Sequence, residues 1–182
     1  MNRQNLSPAK QRGVVLVVSL IMLLVMTLIG ITSMNSSVLE EKMAGNMHNR
    51  NQAFQAAESA LRIGELVIAG YTNLPDVSSD GSTGIWDVKA ADPDTTNNAA
   101  WWEESARDST WWSTNGDANS GSNVISGIAS QPAYVIELLP PVAGSLEVGK
   151  PLDDKDFYLQ VTARGTGGTD NAVVILQTTY KW

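Results

Sequence analysis

No cysteine occurs in the 182 residues, and His48 is the only histidine. The first absence excludes disulfide frameworks, thiolate metal sites and cysteine nucleophiles. The second leaves almost nothing from which to build a histidine metal site or an acid–base relay. Basic residues are also scarce, 12 Lys and Arg against 19 Asp and Glu, for a net charge of −7 and a pI near 4.6. Neutralising phosphates requires a basic face, so nucleic acid is excluded as a partner. Proline is missing between Pro8 and Pro75, which leaves nothing to interrupt a helix over that interval. Walker loops, GxGxxG, HExxH and CxxC patterns are absent, and no cofactor is expected.

What is present is unevenly distributed. Residues 14–31 form an 18-residue run without charge, broken only by Ser19, Thr27 and Gly30. In helical form, about 18 to 21 residues cover roughly 27–32 Å, the thickness of a bilayer's hydrocarbon core. No second helix of similar hydropathy exists to bury this one, so the run reads as a membrane span. Ahead of it lie thirteen residues with Arg3, Lys10 and Arg12 and no acid, against nine bases and nineteen acids in the remainder. The positive-inside bias keeps that short segment cytoplasmic and sends the acidic bulk across, into the periplasm of a Gram-negative-type cell. No A-x-A-like site follows the run. A processing point before it, between Gly13 and Val14, fits better than a signal cleaved after it.

A basic leader ending in Gly, followed by an apolar run that passes into an amphipathic helix, resembles the class III signal of type IV pilins and type II secretion pseudopilins. The following stretch is more specific. VLEEKMAGN at residues 38–46 and NRNQAFQAAESALR at residues 49–62 are similar to the signature of PilX-type minor pilins. This resemblance implies that a prepilin peptidase cuts between Gly13 and Val14 and methylates the new amino terminus on Val14. It implies a single-pass inner-membrane protein with a periplasmic domain before assembly, carried to the pilus tip and cell surface afterwards. The implied partners are other minor pilins, the major pilin and a PilY-type tip adhesin. The implied assembly positions are Val18, Glu40, Glu41, Lys42, Ala53, Phe54, Ala57, Glu58 and Ala60.

Two positions depart from the usual pilin pattern. Val14 stands where Phe or Met is more common after the Gly. Val18, fifth after the cut, stands where most pilins carry Glu, which in that family is thought to neutralise the amino terminus of the subunit ahead. A carboxylate in lipid is costly unless paired. A subunit at the tip has none ahead of it and can dispense with the carboxylate. Val18 therefore favours a minor pilin that primes assembly at or near the tip, serving adhesion and twitching motility. A K-type minor pseudopilin of type II secretion also lacks the early Glu. Those proteins carry an extra helical insertion that the 169 residues after Gly13 do not easily hold. An unrelated membrane-anchored periplasmic protein would need no cleavage at Gly13.

Beyond the span, Leu39, Met43, Met47, Phe54, Leu61 and Ile68 recur at spacings of four or seven, one face of a helix. Beside them runs a row of small residues, Ala53, Ala57, Ala60 and Gly64, which permits close approach of another element. One helix from Val14 to Ala69 is predicted, about 84 Å long. The large-residue stripe is expected to enter the domain core in its C-terminal half and to pack in the filament elsewhere. Glu40, Glu41 and Lys42 form a charged band just outside the bilayer, read either as a solvated face or as ion pairs between subunits. His48 is expected to be an exposed helix residue. Residues 30–37 are poor helix formers, Gly alone costing about 1 kcal/mol relative to Ala, and are the expected soft spot of the helix inside a filament.

The remainder divides into a variable loop region, residues 70–131, and a sheet, residues 132–182. The whole is expected to be α+β: a long N-terminal helix packed on a C-terminal antiparallel sheet in a pilin-like roll. Strands are predicted over residues 133–139, 157–164 and 172–180, bounded by Pro140 and by the Gly-rich turn at 165–171. Two tryptophan pairs, Trp101 with Trp102 and Trp111 with Trp112, flank residues 103–108, a predicted short helix. They read either as core for a loop region without disulfides or as an aromatic patch for a partner pilin or adhesin, with sugar stacking a more distant alternative. Residues 115–121 faintly resemble an oxygen-rich calcium loop but lack the full EF-hand pattern, so no metal is expected. The many carboxylates are expected to be solvated, and no catalysis is expected.

Overall fold

The computed structural model describes residues 13–118, 124–143 and 155–182. The leader up to Arg12 and residues 119–121 of the weak calcium pattern lie outside the described residues. Two compact units divide the chain, Met1–Gly45 and Asn46–Trp182. Helix α1, Val14–Gly70, is unbroken over 57 residues, as the missing prolines lead one to expect. In the first unit its apolar residues are exposed throughout, with an 18-residue window of mean hydropathy 3.1 of which nothing is buried. The polar interruptions are neutralised locally. Ser19 donates to the Leu16 carbonyl at 2.9 Å, Thr27 to that of Leu24 at 2.8 Å and Thr32 to that of Ile29 at 2.9 Å. Hydroxyls satisfied this way are tolerated in hydrocarbon.

The second unit is built on a mixed sheet. In chain order its elements are β1 (Ile85–Trp86), a 3₁₀ turn (Trp101–Glu103), α2 (Ser109–Asn115), β2 (Asp117–Ala118), β3 (Ala133–Leu138), β4 (Val142–Ala143), β5 (Lys155–Asp156), β6 (Tyr158–Thr166) and β7 (Val173–Lys181). The main sheet runs β1-β3-β6-β7, with β2 also paired to β3; β4 and β5 form a separate ribbon. β3, β6 and β7 are the antiparallel meander read from the sequence. The sheet is not purely antiparallel, however, because β1 lies parallel to β3 with Ile85 opposite Ile136. Two residues are too few to show an alternation, so this strand sat unnoticed in the loop region.

Alternation along β3 decides what each face meets. Tyr134 and Ile136 join Leu159, Val161 and Ala163 of β6 in a core with Ala60 and Ile68 of α1. Ala133 and Val135 face the other way, into a core with Trp86, Trp101 and Trp112. Both faces of the central strand are therefore covered, one by a helix and the other by loops.

The helix residues beneath the sheet are Ala53, Ala56, Ala57, Ala60, Gly64 and Ile68. This corrects the expectation for the large-residue stripe. Leu39, Met43 and Met47 are exposed, Phe54 is 45% exposed and Leu61 half-buried, so only Ile68 of that stripe is fully in the core. The reason is backbone proximity. A Cβ placed on Gly165 of β6 would overlap the carbonyl of Ala53 and the amide of Ala57, and one on Gly64 would stand 2.6 Å from Val161 Cγ1. Only the small row permits so close an approach, and the bulkier row is turned off the seam.

Replacing Gly165 with Ala should therefore force backbone from backbone and cost about 1–3 kcal/mol, the range for overpacking. Gly70→Ala, whose added methyl meets nothing within 4 Å, should stay within about 0.5 kcal/mol of the parent. Urea unfolding of the detergent-solubilised chain, followed by tryptophan fluorescence, measures the difference; equal midpoints for the two variants would contradict the close-packed seam.

Candidate functional site

On α1, Gly13 immediately precedes the helix and Val14 is its first residue, 63% exposed; Val18 is 49% exposed one turn later. Glu40, Glu41 and Lys42 are exposed, and none of them has an ion-pair partner among the described residues. His48 is exposed as well. Ala53, Ala57 and Ala60 are brought together under the sheet, whereas Phe54 is not. Glu58 accepts from Arg62 at 2.7 Å, an exposed pair whose attraction is largely screened by solvent.

The four expected tryptophans converge on the opposite face of the sheet, and Trp86 joins them. Trp101 stacks on Trp112 with ring centroids 5.5 Å apart and 23° between planes, and Trp111 lies 5.6 Å from Trp101 and 5.7 Å from Trp86. Trp101 and Trp112 are buried, while Trp102 and Trp111 are half-buried. The pairs are thus mainly core, the first of the two readings open to a region without disulfides. Trp86 was missed because it stands alone in sequence, fifteen residues before the first pair.

The connection between the pairs differs from expectation. Residues 103–108 are not a helix; the helix is α2, which contains the second pair. Asp108 decides this, because its extended backbone and a side chain accepting from the Trp111 amide at 2.9 Å make it the N-cap. Asp before Ser-Thr-Trp-Trp is a cap signal legible in the sequence. Arg107, left outside the helix, donates to the Ala91 carbonyl at 2.8 and 2.6 Å and lays its guanidinium 4.3 Å from the centre of the Trp111 ring.

Under this cluster lies a carboxylate that the sequence reading placed in solvent with the others. Glu137 of β3 is only 5% exposed and accepts from Trp101 Nε1 at 2.8 Å. Burial pushes its pKa up to about 7, with repulsion from Asp92 adding to the rise and the Trp101 hydrogen bond and Arg107 opposing it. The signal was its place in an apolar strand, on the same face as Val135. Among the described residues, no three His, Asp or Glu side chains gather as a metal would require. Of the calcium-like segment, Asn115 and Gly116 close α2 and Asp117 pairs in β2 with Tyr134.

An exposed apolar helix long enough to cross a membrane, followed by an α+β head, is compatible with a single-pass membrane anchor. Two family models match this chain. The PilX N-terminal model matches residues 12–62, and the type IV pilus assembly protein PilX C-terminal model matches residues 82–181. The chain belongs to the PilX family of type IV pilus assembly proteins, a structural and assembly family rather than a known class of enzyme. Searches of curated proteins and of solved structures each give no match.

Glu137 also generates a pH dependence. Its folded pKa lies above the ordinary value of 4.5, so the folded state holds the proton more tightly than the unfolded state. The penalty for burying the anion is absent below about pH 4.5 and complete above about pH 7; it is on the order of 3 kcal/mol. Glu137→Gln, which keeps an acceptor for Trp101, should flatten the decline in unfolding free energy between those pH values. Chemical denaturation at stepped pH measures it, and a variant slope equal to the parent's would show that the buried carboxyl is not the cause.

Proposed function

We propose that this PilX-family protein is a minor pilin that primes type IV pilus assembly and sits at or near the pilus tip. The supporting observation is Val18. An apolar residue at the fifth position after Gly13 suits a subunit with no neighbour's amino terminus to neutralise ahead of it. In this reading, prepilin peptidase cuts between Gly13 and Val14 and methylates Val14. The apolar part of α1 waits in the inner membrane with the head in the periplasm. Extraction exchanges lipid for the helices of other minor pilins and of the major pilin, a transfer between two apolar surroundings that helix packing and small-residue contacts must drive. Glu40, Glu41 and Lys42, without ion-pair partners among the described residues, supply several charges at one level of the helix for pairing between subunits. Individually weak, such pairs set register only as a group. Residues 30–37 are where α1 loosens once packed in a filament, a reading that an unbroken helix there in a filament map would remove. The head, with its loops, is then presented to a PilY-type tip adhesin, in the service of adhesion and twitching.

Mass spectrometry of the protein recovered from cells is the direct test. The expected amino terminus is N-methyl-Val14, with Gly13→Val blocking the cut; an intact Met1 in the parent chain would overturn the reading. Deleting the gene should abolish piliation and twitching and leave type II secretion at the parental level, whereas the reverse pattern would assign the chain to the secretion machinery.

A further inference from the structure

We propose that the outer edge of β7 takes up an extended strand from another pilus subunit, held by main-chain hydrogen bonds and set in register by a carboxylate of that strand at Arg50. β7 ends the sheet: among the described residues no strand pairs with it on the side away from β6. The direction of its free groups follows from the ladder. Gly167 donates to the Ala172 carbonyl at 2.8 Å and Trp182 to that of Phe157 at 2.9 Å, which fixes the hydrogen-bonded pairs of β6 and β7 at the even-numbered residues of β7. Leu139 donating to Tyr158 at 2.8 Å agrees, since it assigns the even-numbered residues of β6 to β3. The amides and carbonyls of Val173, Ile175, Gln177 and Thr179 therefore point outward.

Natural edge strands are protected by brevity, proline, charge or a bulge. β7 is nine residues long, pairs with β6 through nine unbroken register positions, and has neither proline nor charge before Lys181. The opposite edge offers no such surface, β1 having only two residues.

Each end of this edge opens on a cleft shared with α1. At Val173 the cleft is about 400 Å³ and is lined by Asn46, Asn49, Arg50, Thr169 and Asn171, with no acid among its lining residues. Arg50 is exposed and has no ion-pair partner among the described residues, and Asp170 of the same turn exerts its attraction on Arg164. An unpaired cation among amides, on a chain of net charge −7, selects a carboxylate. At Tyr180 the cleft is about 510 Å³ and is lined by Arg62, Glu65, Ala69 and Leu66, whose side chain, 72% exposed, gives it a mainly apolar wall. It suits an apolar side chain. Val173 and Tyr180 are seven residues apart, about 24 Å along a strand, so the partner segment carries its acid and its apolar anchor about seven residues apart. A second copy of β7 does not meet this requirement, because residues 173–180 contain no acid.

The inference stands on the head alone and holds whether the subunit sits at the tip or along the shaft. Benzoylphenylalanine in place of Tyr180, in the full-length chain within piliated cells, tests it by photo-cross-linking and mass spectrometry of the linked peptide. The expected product joins an extended segment of another pilus subunit with an acid about seven residues from the link. Arg50→Glu should lower its yield about tenfold, and Thr179→Pro, which removes one outward N–H and leaves the β6 ladder intact, about five- to tenfold, with Thr179→Ala near the parent. Amide exchange at residues 173, 175, 177 and 179 should be slower in the purified complex than in the isolated full chain in detergent. Cross-links confined to lipid or to a second copy, unchanged exchange, or a yield indifferent to Arg50→Glu would overturn the proposal. An unprocessed amino terminus would instead strike the priming reading and leave these amides as they are.

Discussion

The contact on which the head depends is the seam where α1 lies against β6 with scarcely any side chain between them. Gly165 on the strand meets the backbone of Ala53 and Ala57 on the helix, and Gly64 of the helix leaves room for the Val161 and Tyr134 side chains. Dispersion falls off so steeply with distance that such contacts gain from every tenth of an ångström of approach. They tolerate no added methyl for the same reason. The seam also orders the residues around it. With the small row facing inward, Phe54 and Leu66 are left on exposed helix surface, and Leu66 helps form the cleft beside β7.

The second face of the sheet solves a different problem. A loop region without disulfides has little to hold it except apolar area, and each tryptophan buries roughly 150–250 Å². Five of them with the stem of Arg107 form a layer over β3. The layer carries a polar cost, because Glu137 is sealed beneath it with one indole donor for company. A buried carboxyl of this kind is stable when protonated and strained when charged. The head accordingly holds an ionisable side chain under its tryptophan cover.

How much of this was legible varied with the length of the pattern that carried it. The 57-residue α1 was legible because hydropathy and the absence of proline act over many residues and leave one solution. β3, β6 and β7 were legible from alternation over six to nine residues. β1, with two residues, was not, and its parallel pairing depends wholly on where the chain returns to β3. The helix around the second tryptophan pair was misplaced by half a dozen residues, because Asp108 caps the start of a helix rather than closing one. The burial of Glu137 and the partnership of Trp86 were invisible for another reason. The indole partner of Glu137 lies 36 positions away and the ring partner of Trp86, Trp111, lies 25 away.

The family resemblance rested on residues 10–65, where helix spacing and a run of small residues are written directly in sequence, and the family match extends it through the head. Sequence alone thus determined the membrane-length helix, the sign of the charge on either side of it, the class of fold and the family, because each is a sum over many residues that no single contact can reverse. Tertiary structure alone decided which of two adjacent helix rows became the seam, which acid lost its water and which strand was left at the edge. Those outcomes depend on sub-ångström clearance and on pairing order, and neither is a property of any stretch of chain taken by itself.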